Sequence, residues 1–290
     1  MRNNDERIGA VQQQDSPAPT QAQGAMNGLN FIAPTEFVEI PSKGKFYPQG
    51  HPLHNKDVVE IKHMTAREED ILTSQTLLKQ GVAIDRFLQS VLKDNSIDVS
   101  TLLVGDKNAL IIAARCTGYG HDYETSITCP RCGTESKHEV DLSEISHLED
   151  GYHQDTAEEA LPNVEGPNDY GNYLITLPVT NAVFEVKLMT GADEKAFTKR
   201  METRKKKKLG EAIMTDQFKT FTVSINGVNI ARQIHNFIDN LPVKDSRFLR
   251  TAYNAIAPAS RLKYDFECPN CSHEREVEVP ITAQFFWPDI

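Results

Sequence analysis

The chain has 290 residues, 39% of them hydrophobic and 25% charged, and 41 acidic against 31 basic side chains leave a net charge of −10. That length holds two domains or one large one. No apolar run reaches the length of a membrane span, and the acidic balance argues against a general nucleic-acid binder, which would be basic.

Residues 1–34 are rich in Gln, Asn, Ala, Pro and Gly and lack hydrophobic periodicity, the composition of a disordered arm. A short alternating strand follows at Glu36–Ile40. Ser42-Lys43-Gly44 then turns the chain, and Phe46 and Tyr47 either pin the loop to its own core or present it to a partner. Val58–Lys62 reads as a strand. Thr65 and Glu68 have capping-box spacing, which predicts a helix from Ala66 to about Lys79, stopped by Gly81. A second helix covers Ala83–Lys93, with Ile84, Phe87, Leu88, Val91 and Leu92 on one face. A third begins near Asp106, where an acid suits the positive end of the helix dipole, and runs through Leu110, Ile111, Ile112 and Ala114 to Gly118 and Gly120. Cys116 in this helix reads as a small buried hydrophobe.

Cys129-Pro130-Arg131-Cys132-Gly133 is a CPxC knuckle between two alternating stretches, Tyr123–Thr128 and Lys137–Leu142, the pattern of a β-hairpin with the knuckle at its tip. Residues 148–172 are acidic and rich in Asn, Gly and Pro, as a linker is. Tyr173–Leu177 and Val183–Leu188 form a further hairpin, turning near Thr180-Asn181, and a helix starts near Gly191. This helix ends in the run Lys199-Arg200-Met201-Glu202-Thr203-Arg204-Lys205-Lys206-Lys207-Lys208. Lysines suit the negative end of a helix dipole, so a solvated helix end is preferred over a contact with an acidic partner or a phosphate backbone. Cys268-Pro269-Asn270-Cys271-Ser272 is a second knuckle, between Leu262–Glu267 and Glu274–Ile281. The last segment, Ala283–Ile290, holds Phe285, Phe286 and the only tryptophan, Trp287. It covers the edge of the core or anchors in a neighbour's pocket.

One knuckle supplies two thiolates, and tetrahedral Zn²⁺ takes four ligands. Cys129, Cys132, Cys268 and Cys271 are therefore the candidate ligands of one structural zinc ion in a zinc-ribbon-like site. The two knuckles are 135 residues apart, so the site depends on the fold to assemble it. Iron in the same cage is the lesser alternative. No signal peptide precedes the cysteines, and a reducing compartment favours metal over disulfides. Four thiolates leave no open coordination position, so the metal is expected to be structural. His121, His138 and His273 lie near the knuckles and read as surface residues.

The second half repeats the first. Val59-Glu60-Ile61-Lys62-His63-Met64-Thr65 matches Phe184-Glu185-Val186-Lys187-Leu188-Met189-Thr190, Leu102–Asp106 matches Leu241–Asp245, and the two knuckles match in the same order. The expected fold class is α+β: two tandem pseudo-symmetric repeats, 35–147 and 173–290, each of strands, short helices and a knuckle hairpin, joined at one four-cysteine site. About 14 extra residues fall between Thr190 and Leu241. No phosphate-cradling GxxxxGK[ST], HExxH or GxSxG motif occurs, and no enzyme activity is expected.

Glu39–Pro48, Met64–Leu72, Gly105–Leu110, Tyr119-Gly120, the first knuckle and Asp245-Ser246-Arg247 together resemble the baseplate hub and hub-assembly proteins of T-even-type contractile-tailed phages. The resemblance runs from about Glu36 to the C-terminus. It implies a part in building the central hub of the tail baseplate, with other hub or tail proteins and the tape-measure protein as partners. The expected location is the host cytoplasm during assembly and then the virion tail. Two other readings remain at this stage. One is an assembly chaperone absent from the mature virion. The other is a zinc-ribbon regulator whose Lys205–Lys208 touch nucleic acid; salt-dependent DNA binding would mark it.

Overall fold

The computed structural model describes residues 33–142, 162–210, 212–259, 263–278 and 285–286. The expected arm up to residue 32, the acidic stretch up to residue 161 and Trp287 lie outside these.

Strands β1 (Thr35–Glu39) and β2 (Val58–Lys62) pair antiparallel, Val38 opposite Val59. Alternation buries Val38, Val59 and Ile61 and leaves Phe37 outside. Phe46 and Tyr47 are buried together with Leu53, so the loop between the strands is pinned to its own core. The expected helix over 66–79 is two helices, α1 (Ala66–Thr73) and α2 (Gln75–Gln80). Ser74 breaks it: its backbone is extended, and its hydroxyl oxygen caps α2 by accepting the Leu77 N–H. Gly81, at φ 66°, ends α2 in the left-handed conformation. Helix α3 (Ala83–Val91) buries Phe87, Leu88 and Val91, as its apolar spacing demands. Helix α4 (Val104–Tyr119) is followed by the hairpin β3 (Asp122–Thr128) and β4 (Glu135–Asp141).

The second half opens with a four-stranded antiparallel sheet in the order β5 (Val164–Glu165), β6 (Tyr173–Thr176), β7 (Val183–Val186), β8 (Thr222–Ile225). β5 lies where composition alone placed a linker. Helices α5 (Gly191–Lys206) and α6 (Ile213–Phe221) precede β8; α7 (Ala231–Asp239), α8 (Val243–Ile256) and the hairpin β9 (Lys263–Glu267) and β10 (Glu274–Glu278) follow it.

Several local structures recur between the halves. Thr65 and Thr190, 125 positions apart, start α1 and α5 with a capping box. α3 and α6 are both 9 residues long and lie 130 positions apart; each ends in an extended residue, Leu92 or Thr222. α4 and α8 start at Val104 and Val243, 139 positions apart.

Asp106 and Asp245 occupy the same place in α4 and α8, and both are 0% exposed. Asp106 accepts the Ser42 N–H at 2.9 Å, the Ser42 hydroxyl at 2.6 Å and the Tyr47 hydroxyl at 2.7 Å. Burial pushes its carboxyl above the usual range, and the hydrogen bonds from Ser42 and Tyr47 pull it back. Asp245 accepts the Val179 N–H at 2.8 Å, the Thr180 N–H at 2.9 Å and the Thr180 hydroxyl at 2.7 Å. Lys43 and Asn181, the next residues in the two held turns, both take positive φ, 48° and 53°. Asp106 was expected to serve the helix dipole; its observed role is to clasp the β1–β2 loop.

One apolar core runs through both halves and includes Leu88, Leu110, Phe184, Phe218 and Leu249. The halves also share backbone bonds: Val104 N–H donates to Met189 O at 3.0 Å, and Gly191 N–H to Leu102 O at 2.8 Å. Lys107 pairs with Asp85 at 2.9 Å and with Glu194 at 3.3 Å. Phe285 and Phe286 are buried in the first half, edge-on to Tyr123 and Phe87. Each such burial is worth about 1.5–3 kcal/mol. Arg115 fixes this end of the chain, donating to Phe285 O at 3.0 Å, Gly120 O at 2.7 Å and Asp122 O at 3.0 Å. Phe285 and Phe286 therefore serve the core. Cys116 is half-buried, and burial pushes its thiol up to about 11, so it stays a protonated, unreactive side chain.

Candidate metal centre

Each knuckle is a tight turn set by its hairpin. In the first, Cys129 N–H donates to Thr134 O and Gly133 N–H donates back to Cys129 O, both at 2.9 Å. In the second, Cys268 N–H donates to His273 O at 3.0 Å and Ser272 N–H to Cys268 O at 2.9 Å. The turns close through a residue at positive φ, Gly133 at 72° and Ser272 at 50°. The proline after the first Cys presets the turn. Both thiols of each knuckle then point to one side of the hairpin tip.

The fold brings the two tips together. The sulfurs of Cys129, Cys132, Cys268 and Cys271 all lie within 4.8 Å of one another. The cross-hairpin contacts are reciprocal: Cys129 Sγ to Cys271 Sγ is 3.7 Å, and Cys132 Sγ to Cys268 Sγ is 3.6 Å. A metal–sulfur bond of about 2.3 Å gives a tetrahedron with edges of about 3.8 Å. These separations fit that cage, and they are far longer than the roughly 2.05 Å of a disulfide. All four are free thiols. The residues present thus fit one metal ion held by four sulfurs.

Charge makes the same point. Hydrogen bonding with Thr134 pushes the Cys132 thiol down to about 5, whereas burial, with the neighbouring thiols, pushes Cys271 up to about 12. Four crowded sulfurs do not ionise together unless a cation neutralises them. Cys129 and Cys268 are buried and Cys132 is exposed, so the cage sits at the surface with its inner pair covered.

A small apolar cluster supports the cage. Phe266 is buried against Cys129 and Cys268, with Ile127, Tyr264 and Val277 around it. His138, expected at the surface, is half-buried between the hairpins. Its ring packs edge-on to Phe266, with centroids 4.9 Å apart, and to Tyr264 at 5.6 Å; Ser136 Oγ lies 2.8 Å from its Nε2. His273 is half-buried as well, and His121 is exposed. Asn270, the variable residue of the second knuckle, reaches across to the first: its Nδ2 donates to Thr134 Oγ1 at 3.1 Å and approaches Cys132 Sγ at 3.7 Å. The sequence reading singled out the four cysteines whose sulfurs the fold brings together and missed these supports. The aromatic alternation in Tyr264-Asp265-Phe266 was the available signal for them.

Two comparisons with known proteins gave nothing: no curated protein and no solved structure matches the chain. A family model does match. Residues 33–162 fit the family described as T4 bacteriophage base plate protein. The match contains the clasped loop, α1 to α4 and the first knuckle hairpin.

Proposed function

We propose, for a chain whose residues 33–162 match the family described as T4 bacteriophage base plate protein, a structural or assembly part in the central hub of the tail baseplate. In this reading the chain is two copies of one α+β unit, stapled by a single zinc ion on Cys129, Cys132, Cys268 and Cys271, and it carries out no catalysis. Its partners are other hub or tail proteins, the tape-measure protein among them.

The observation that carries the reading is the reciprocal sulfur contact between the knuckles, with one knuckle inside the family match and the other far outside it. A site of this kind ties distant parts of a chain together, because closing so long a loop constrains the unfolded state strongly. The equivalent Asp106 and Asp245 clasps, the two capping boxes and the matched helices support the duplicated unit. A fused pseudo-dimer with a rigid centre suits a part that organises others. No helix among the described residues is long and apolar enough to cross a membrane.

Quantitative mass spectrometry of purified mature phage particles tests the role. A fixed small copy number per particle makes the protein a hub component. Presence in infected cells together with absence from particles would overturn that and leave the chaperone role.

A further inference from the structure

The basic run that closes α5 lies outside everything used so far. The fold divides it. Lys199, Arg200, Thr203, Arg204 and Lys207 fall at helical spacing on one face, and with Ala196 they line a groove of about 470 Å³ between α5 and α6. Lys205, Lys206 and Lys208 are exposed and do not line it. Two of the groove's cations are held in place. Arg200 donates to Thr220 Oγ1, and Arg204 donates to Gly210 O at 3.0 Å. Leu209 supplies an exposed apolar patch on the lining.

Asp216 completes the lining. It is 8% exposed, and its Oδ2 accepts no hydrogen bond among the described residues, although Arg204 Nε lies 3.5 Å away. The groove therefore presents four cations along one wall, of which Arg204 is paired with the buried Asp216, and a little apolar surface. We propose that the α5–α6 groove is a docking site for an acidic segment of a partner protein. Its carboxylates would meet Lys199, Arg200 and Lys207, and an apolar side chain beside them would meet Leu209.

Nucleic acid fits less well on three counts. Among the described residues no aromatic side chain lines the groove for base stacking. The groove is short, whereas a nucleic-acid backbone needs a long basic track. The chain as a whole carries −10 and opposes a long polyanion. This proposal is independent of the hub reading, because it rests only on α5, α6 and the turn between them.

The test uses the full-length, metal-loaded chain and fluorescence anisotropy. The probe is a fluorescein-labelled peptide of about 12 residues containing Asp, Glu, Ser and Leu; oligo-dT of similar length serves as the comparison. At physiological salt, where the Debye length is about 8 Å, the Lys199→Glu/Lys207→Glu variant should lose about tenfold or more in affinity. Lys205→Glu/Lys206→Glu, with the same charge change on another face, should lose less than about threefold. Thermal melting of both variants checks that each is folded. Equal losses from the two variants would overturn the groove. So would the absence of saturable peptide binding, and tighter binding of oligo-dT would assign the face to nucleic acid instead.

Discussion

Asp106 accepts both the backbone N–H and the hydroxyl of Ser42, at 2.9 and 2.6 Å, joining the start of α4 to a loop 64 positions earlier. Removing the carboxylate strands three donors, the third being the Tyr47 hydroxyl. Ser42 and Tyr47 are both buried, and each unmet buried group costs about 1–3 kcal/mol. Asp106→Ala should therefore cost about 3 kcal/mol or more in urea denaturation. Asp245 makes an equal number of bonds, but its partners Val179 and Thr180 are exposed, so water can replace it. Asp245→Ala should cost about 1–2 kcal/mol. Equal losses would mean that burial does not set the difference.

The two capping boxes make stability depend on acid. Burial raises the Glu68 carboxyl, but hydrogen bonds from Thr65 outweigh it and hold it below its usual 4.5. Asp193 is likewise raised by burial and drawn below its usual 3.8 by Lys187 and Thr190. A depressed folded pKa gives stability that is complete above the unfolded value and is lost as pH falls through the folded one. Glu68→Gln and Asp193→Asn should each cost about 1 kcal/mol at neutral pH. The gap from the native chain should close as pH drops below 4.5 for Glu68 and below 3.8 for Asp193. A gap unchanged at low pH would show that the charge is not what is lost.

Gly105 reverses the usual effect of glycine in a helix. Alanine there would ordinarily stabilise α4 by up to about 1 kcal/mol. A Cβ at Gly105, however, would lie 2.1 Å from the backbone oxygen of Pro258, and backbone cannot move aside cheaply. Gly105→Ala should destabilise by about 2 kcal/mol, whereas Gly210→Ala, with nothing within 4 Å, should be neutral. The two melting temperatures, read side by side, check the close approach of α4 to residue 258.

Much of this was legible in the sequence because the signals were local. Thr65 with Glu68, the spacing of Phe87, Leu88 and Val91, and the CPxC pairs each name their own structure. The break at Ser74 was hidden by good helix formers on both sides of it. β8 and α7 were missed although Asn226-Gly227, at φ 51° and 77°, marks the turn after β8; they fall where the two halves differ in length. Asp106 was assigned to a helix dipole because its true partners, Ser42 and Tyr47, are more than 50 positions away. His138 was misjudged for the same reason: its neighbours Tyr264 and Phe266 belong to the other hairpin. The four cysteines were picked out as candidates because their type and spacing suggest a shared ion, although only the fold could bring their sulfurs within 4.8 Å of one another.

The most direct measurement is the metal content of the purified full chain by native mass spectrometry, beside Cys129→Ser and Cys268→Ser. One shared structural site predicts one zinc per chain in the native protein and none in either variant, with both halves losing hydrogen-exchange protection together. Two ions per chain, or metal retained by one knuckle after the other is broken, would contradict it.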